Sequence, residues 1–397
     1  MGVSETLAAR VKDLDLLRTQ GFIAGEWASS PDGASYDVHD PADGTRVATV
    51  ARLGADAARA AVAAAHAALP AWAALPAKQR CATLRAWHAL ILASADDLAA
   101  IMTAEGGKPD AEARAEIAAG AASVEWFAEQ ARRVEGSVLE PPARDRRMLV
   151  LRQPVGVAAA ITPWNFPMAM ITRKVSPALA AGCPVVLKPA EATPLTALAL
   201  ARLAERAGLP AGALNVVSGD APAIGHVLTS SEAVRKLGFT GSTAVGKRLA
   251  AASAGTAKRL SLELGGNAPF VVFADADLEL AAAGVVASAL RNAGQTCICA
   301  NRVLVHASVA DDFAARVAER VKRLKAGHGA LPGTQLGPLI SRAAVAKVEA
   351  HAADAVAKGA VVLAGGVGCA PEGLPEALAR GGNWHAATVL DHATIEM

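Results

Sequence analysis

The stretch VGVAAAITPWNFPMAMITRKVSPALAAGCPVVLKPAE, residues 155–191, sets the reading of the fold. It contains two apolar runs, 155–161 and 184–188, each closed by a turn-forming segment. Further runs of the same kind follow at 213–217, 236–240, 260–264 and 269–273, with helical stretches between runs, notably 194–207 and 243–254. Continuous apolar strands alternating with helices predict a parallel sheet covered on both faces. A second series repeats the alternation as helix 277–291, strand 302–306, helices 309–325 and 342–358, and strand 360–364. The fold class is therefore α/β, with two doubly wound, Rossmann-like units.

Upstream of that stretch the pattern changes. Residues 20–50 suggest short strands and turns, beginning with a hairpin around Gly21-Phe22-Ile23-Ala24-Gly25-Glu26-Trp27. From 55 to 133 Leu84, Trp87, His88, Ile91 and Leu92 recur at helical spacing, with Pro70, Pro76 and Pro109 as punctuation. Residues 134–153, with Pro141-Pro142, Arg144, Arg146 and Arg147, form an exposed excursion, either an edge hairpin or a linker. A loop rich in Gly and Pro is expected near 365–382.

Composition excludes several function classes. The chain has 397 residues, enough for two or three domains with a real core, and 53% of them are apolar. Lys+Arg 39 against Asp+Glu 37, without a basic run, argues against a nucleic-acid partner. No apolar stretch is long enough to cross a bilayer, and the mixed charges at the N-terminus fit neither a secretory signal nor a transit peptide. Cys81, Cys183, Cys297, Cys299 and Cys369 are odd in number and scattered, as expected in a reducing cytoplasm. The nine histidines do not cluster and Cys297-x-Cys299 lacks a second ligand pair, so no metal is expected.

Five segments at strand ends or strand–helix junctions can carry chemistry, because doubly wound sheets place ligands there. In Thr162-Pro163-Trp164-Asn165 the prolines at 163 and 167 stiffen a turn around an amide that can donate hydrogen bonds; by itself it reads more readily as a structural turn. Lys188-Pro189-Ala190-Glu191 can hold ribose hydroxyls, or be a solvated charge pair. Gly241-Ser242 opens a helix whose free N–H groups can receive a pyrophosphate. Arg248 follows Gly246-Lys247 where an NTPase loop needs Ser or Thr, and no G-x-G-x-x-G occurs. Glu263, ending an apolar strand before Leu264-Gly265-Gly266, is expected to be partly desolvated and able to act as a general base, or else to be a surface turn residue. Cys297 stands among small and polar residues between a helix and a strand, where a thiolate can act as nucleophile or a thiol can simply be buried.

In this order and wording the segments ITPWNFPMAMITRKVSPALAAGCPVVLKPAE, FTGSTAVGK, LELGGNAPF and RNAGQTCICANR resemble the aldehyde dehydrogenase superfamily from about residue 20 onward, and its succinate-semialdehyde dehydrogenase branch in particular. The resemblance implies Cys297 as the nucleophile that forms a thiohemiacetal and then a thioester. It implies Asn165 as an oxyanion donor and Glu263 as the base for the hydrolytic water. Thr162, Pro163, Trp164, Asn165, Lys188, Pro189, Ala190, Glu191, Gly241, Ser242 and Leu264 would line the cofactor, with NAD expected over NADP because Glu191 repels a 2′-phosphate. Arg173 and Arg291 would clamp the distal carboxylate of succinate semialdehyde. The alternatives are another aldehyde such as glutarate semialdehyde, or a non-catalytic nucleotide-binding fragment.

By the same resemblance, 1–133 with 154–265 would be the NAD-binding domain, 134–153 an oligomerisation hairpin or linker, and 266–397 a catalytic domain. That domain is expected to be incomplete at its C-terminus, because members of the family continue into a Glu-x-Phe-Gly-Pro motif. A homo-oligomer, dimer or tetramer, is expected. Cys299 is a candidate redox partner for Cys297.

Overall fold

The computed structural model describes residues 2–397, which divide into two compact units. The first comprises Met1–Asp37, Ala48–Leu98 and Ala115–Leu264; the second comprises Val38–Val47, Ala99–Arg114 and Gly265–Met397.

The first unit is built on a seven-stranded sheet. Its order is Arg259–Glu263, Val234–Thr240, Val157–Ile161, Val185–Lys188, Leu214–Val216, Gly21–Ile23 and Glu26–Ala28. The first five strands are parallel, and the Gly21–Ala28 hairpin adds to Leu214–Val216 in antiparallel sense. Chain order reverses between Val157–Ile161 and Val234–Thr240, the switch point at which an open α/β sheet leaves a crevice beyond its carboxyl ends.

The central strands of this sheet are covered on both faces, which is why Val157–Ile161 is continuously apolar. On one face Val157, Ala159, Val186 and Leu237 pack against Ala58, Ala61, Val62 and Ala65 of helix Ala55–Ala74 and against Ile224, Val227 and Leu228 of helix Ala221–Ser230. Helices Pro167–Ala180 and Leu195–Arg206 lie on the other face, backed by Ala77–Ala93. Pro70 does not end a helix as the sequence suggests. Ala55–Ala74 runs through it, and buried Trp72 anchors the last turn by donating Nε1–H to the Leu179 carbonyl at 3.1 Å.

Residues 134–153 form a hairpin, Ser137–Leu139 paired with Met148–Val150, on which the cross-strand neighbours Val138 and Leu149 are 78% and 66% exposed.

The second unit pairs Pro269–Val272 with Arg302–Val305 in parallel and Val361–Ala364 with Val389–Asp391 in antiparallel sense. Val272, Ala282, Val285 and Phe313 form its core under helices Leu278–Ala289 and Ala310–Lys322. Within 365–382 the chain forms a short helix, Glu376–Gly381, where the sequence suggests only loop. Segment 38–47 is tied into this unit by His328 Nε2 on Asp40 Oδ2 at 3.0 Å and by Trp384 Nε1–H donated to the Ala42 carbonyl at 2.8 Å. Among the described residues, no single helix is long and apolar enough to cross a membrane.

Candidate functional site

In the first unit the strand order brings three sequence-distant segments to the same end of adjacent strands. After Val157–Ile161 the chain turns through Thr162–Asn165, with Thr162 N–H donated to the Lys188 carbonyl at 3.1 Å. The Thr193 hydroxyl donates to the Trp164 carbonyl at 3.3 Å and fastens the turn. Thr162 Oγ1 is buried without a hydrogen-bond partner among the described residues, an acceptor or donor left over for a ligand.

The helix that follows, Pro167–Ala180, starts on a buried carboxylate. Glu116, 1% exposed, accepts the N–H groups of Met168 and Ala169 at 2.9 and 3.1 Å. A negative charge on free N–H groups at a helix start is favourable in both hydrogen bonding and dipole terms. It fixes the direction in which the chain leaves Asn165. The sequence gives no hint of this role, since Glu116 lies far from Met168 along the chain.

Lys188 is buried at the end of its strand, and its Nζ lies 2.6 Å from Glu191 Oε1. Glu191 is 41% exposed and lines a cavity of about 400 Å³ with Tyr36, Arg52, Gly219, Asp220 and Pro222. On the neighbouring side of the switch point, Ser242 caps helix Thr243–Ser253 by accepting the Val245 N–H at 3.3 Å. Gly246 has no side chain because Leu264 Cδ2 occupies the space a Cβ would need. Close packing of Leu264 on the helix start leaves the Gly241-Ser242 turn open, and Ser242 is exposed.

Glu263 pairs in register with Thr240, and its carbonyl accepts the Gly241 N–H at 3.0 Å. Its side chain is exposed, contrary to the partial desolvation expected from sequence. The reason is that Arg259–Glu263 is the edge strand, and Arg259, Ser261 and Glu263 all fall on its open face. A residue passed over in the sequence lies close by. Lys174 donates from Nζ to Thr240 Oγ1 at 2.5 Å, and its stem passes Gly238, where an added Cβ would lie 3.6 Å from its Cδ, in ordinary van der Waals contact. Burial holds the Lys174 ammonium below the usual lysine range, with the Glu263 carboxylate opposing the shift and Arg173 and Lys236 adding to it. Arg173 itself is exposed and has no ion-pair partner among the described residues.

In the second unit Cys297 is exposed, whereas Cys299 is 3% exposed. The Cys299 thiol lies 2.5 Å from Thr296 Oγ1 and 4.0 Å from the Arg291 carbonyl. Upstream, Asn292 (φ 51°), Ala293 (φ 54°) and Gly294 (φ 77°) are three successive left-handed residues. Asn292 N–H is donated to both carboxylate oxygens of Glu112, at 3.2 and 3.0 Å. Gln295 donates Nε2–H to the carbonyls of Asn292 and Pro338, at 3.0 and 3.4 Å, and accepts the Ile340 N–H at 2.9 Å. Gly266 passes close to the nucleophile candidate: a Cβ there would sit 2.8 Å from the Cys297 carbonyl oxygen. Arg291 lines a cavity of about 790 Å³ with Glu112, Glu279, Arg316 and Arg320, among whose lining residues Cys297 does not appear.

Compared with known proteins, residues 27–397 match the model of the aldehyde dehydrogenase family. A succinate-semialdehyde dehydrogenase of Escherichia coli (strain K12), named for NADP(+), is 52% identical over 381 residues, covering 96% of this chain and 77% of that protein. A glutarate-semialdehyde dehydrogenase of Pseudomonas putida KT2440 is 54% identical over 357 residues, covering 90% of this chain and 74% of that one. The crystal structure of a succinate-semialdehyde dehydrogenase from Burkholderia pseudomallei superposes with a TM-score of 0.93 at 53% identity, covering 98% of this chain and 78% of that one.

Proposed function

Because the chain belongs to the aldehyde dehydrogenase family, we propose that it oxidises an aldehyde with a distal carboxylate, succinate semialdehyde foremost, to the carboxylic acid. The strand-order reversal carries this reading. It gathers Thr162–Asn165, Lys188–Glu191 and Gly241–Ser242, with Glu263 beside Thr240, at one end of a parallel sheet. Such a crevice suits a dinucleotide. The Ser242-capped helix start offers N–H groups to a pyrophosphate, Lys188 and Glu191 offer a cation and an acceptor to a ribose, and Thr162 Oγ1 is an unused polar atom.

Bound NAD or NADP would supply the hydride acceptor. In the proposed sequence the Cys297 thiolate adds to the aldehyde carbon, forming a C–S bond while the carbonyl electron pair moves onto oxygen. The Asn165 amide and the Cys297 backbone N–H donate to that oxyanion. The carbonyl re-forms as the C–H hydride departs, leaving a thioester. Glu263 then takes a proton from water, the resulting hydroxide attacks, and the C–S bond breaks to return the thiolate.

For the substrate carboxylate we assign Arg173 and Arg291. Their variants should lose activity on succinate semialdehyde while sparing an uncharged aldehyde; parallel losses on both substrates remove the assignment. Glutarate semialdehyde is the second reading, favoured by the 54% identity to a relative of that name. The exposed Val138 and Leu149 make the 137–150 hairpin our choice for a self-association surface, to be tested by light scattering on Leu149→Lys. Five free thiols favour a reducing compartment such as the cytoplasm. The deciding experiment is NADH or NADPH formation from succinate semialdehyde. Turnover in the wild type that vanishes in Cys297→Ala supports the function; no turnover dependent on Cys297 with any aldehyde defeats it.

A further inference from the structure

We propose that Glu112 is a positioning residue for the Cys297 segment: its carboxylate, by receiving the Asn292 N–H, holds Asn292 and Ala293 in the left-handed region and so fixes the path on which the chain delivers the cysteine. The proposal rests on the reading of Cys297 as nucleophile.

The backbone here is in an unfavourable place. Asn292 lies at φ 51°, ψ 42° and Ala293 at φ 54°, ψ 36°. Glycine adopts this region freely and asparagine tolerates it, but the Cβ of alanine crowds the neighbouring carbonyl oxygen. Two such residues in succession persist only where the surroundings over-determine them. The braces are visible at both ends. Helix Leu278–Ala289 ends with the Leu290 N–H on the Val286 carbonyl, and the chain then turns so that Asn292 is buried, 4% exposed. Its N–H is received by the two Glu112 oxygens at 3.2 and 3.0 Å. A carboxylate acceptor makes this the stronger brace, since charge-assisted bonds exceed neutral ones. At the far end the neutral Gln295 amide ties the turn to Pro338 and Ile340.

Two residues beyond Gln295 stands Cys297, exposed, with Gly266 against its carbonyl. Glu112 bonds to Asn292, five residues before the cysteine. Glu112 therefore acts on the reaction through the conformation of residues 291–296, and its effect on an uncharged aldehyde, which has no carboxylate for Arg291 to hold, should fall on turnover rather than on binding.

Three measurements on the purified chain test this, with circular dichroism and NADH fluorescence identifying folded variants. Amide hydrogen exchange over residues 291–299 reads the brace without requiring turnover. Glu112→Ala is expected to speed exchange there by about 10-fold or more, and Glu112→Gln to stay within about 3-fold of wild type because its carbonyl still accepts. Glu112→Ala is expected to lower kcat on an uncharged aldehyde by about 30-fold while KM for that aldehyde and for cofactor stays within about 2-fold. Adding Ala293→Gly to Glu112→Ala is expected to recover about 3-fold or more in kcat, because glycine keeps the left-handed conformation unaided. A wild type without turnover defeats the dehydrogenase reading, and exchange then decides the brace alone. Unchanged exchange in folded Glu112→Ala, unaltered kcat despite faster exchange, equal damage from Glu112→Gln, or no recovery with Ala293→Gly overturns the proposal.

Discussion

Replacing Glu191 with glutamine should change which nicotinamide cofactor this chain prefers. The Glu191 carboxylate lies 2.6 Å from Lys188 Nζ, with 41% of its side chain exposed and the lysine buried. A ribose 2′-hydroxyl donates to such a carboxylate, whereas a 2′-phosphate meets it as a like charge. A charge of −1 and one of −2 about 5 Å apart in a water-like dielectric repel by about 1.7 kcal/mol, and the exposure of Glu191 argues for that dielectric. The lost hydroxyl hydrogen bond adds about 1 kcal/mol, so the wild type should favour NADH over NADPH by about 100-fold. Glu191→Gln removes the repulsion, frees Lys188 to face the phosphate, and should narrow the ratio by about 15-fold. Fluorescence titration of both reduced cofactors gives the ratio without requiring turnover. Raising salt to about 0.5 M should shrink the discrimination, since the pair is partly exposed. Equal affinities in the wild type, or a ratio moved by less than about 3-fold in Glu191→Gln, would refute the electrostatic argument. The comparison is pointed, because the Escherichia coli relative is named for NADP(+).

Glu263→Gln should separate the two chemical halves: rapid-mixing absorbance should show a burst of reduced cofactor near one per site, followed by turnover lowered about 10²–10⁴-fold. Absence of a burst despite slow turnover would take the water-activating role from Glu263. Lys258, buried, donates to the Leu228 and Ser231 carbonyls at 2.9 Å, and burial, assisted by Arg235, pushes its ammonium from 10.5 down to about 8. The unfolded chain thus holds more protons between those values. The cost of the buried charge is fully present below the folded value and is relieved as pH rises through the window, so stability gains on the order of 1–3 kcal/mol. Urea midpoints at neutral and alkaline pH should show this gain in wild type and lose it in Lys258→Met. Mild peroxide should inactivate the wild type reversibly through a Cys297–Cys299 bond, slowly because Cys299 is buried. Equal reversal by dithiothreitol in Cys299→Ala would eliminate that pairing.

Most strands were legible because a strand covered on both faces is mainly apolar, and Val157–Ile161 leaves little else to read. Motif wording pointed to Cys297, Asn165 and Glu263, but the supports around them were not legible. Glu112, Glu116 and Lys174 look like ordinary helix charges in sequence; only folding brings them to Asn292, Met168 and Thr240. Pro70 misled for a related reason, since the anchoring of Trp72 on Leu179 offsets a local helix breaker. Exposure of Glu263 followed from edge position, and strand order is a property that apolarity alone does not encode.

The way the two units draw on the chain has a consequence during synthesis. The five parallel strands of the first unit come from one continuous segment, 157–263, and can assemble as soon as it has emerged from the ribosome. Segments 38–47 and 99–114 appear before any of them, yet their partners such as His328 and Trp384 are made only after all five. Asp40 and Glu112 therefore wait until segment 157–263 has been made before Asn292 and His328 follow. The nascent chain should pass through a long-lived state with a finished sheet and two unsatisfied early segments, and that state is where a holding chaperone would have most to bind.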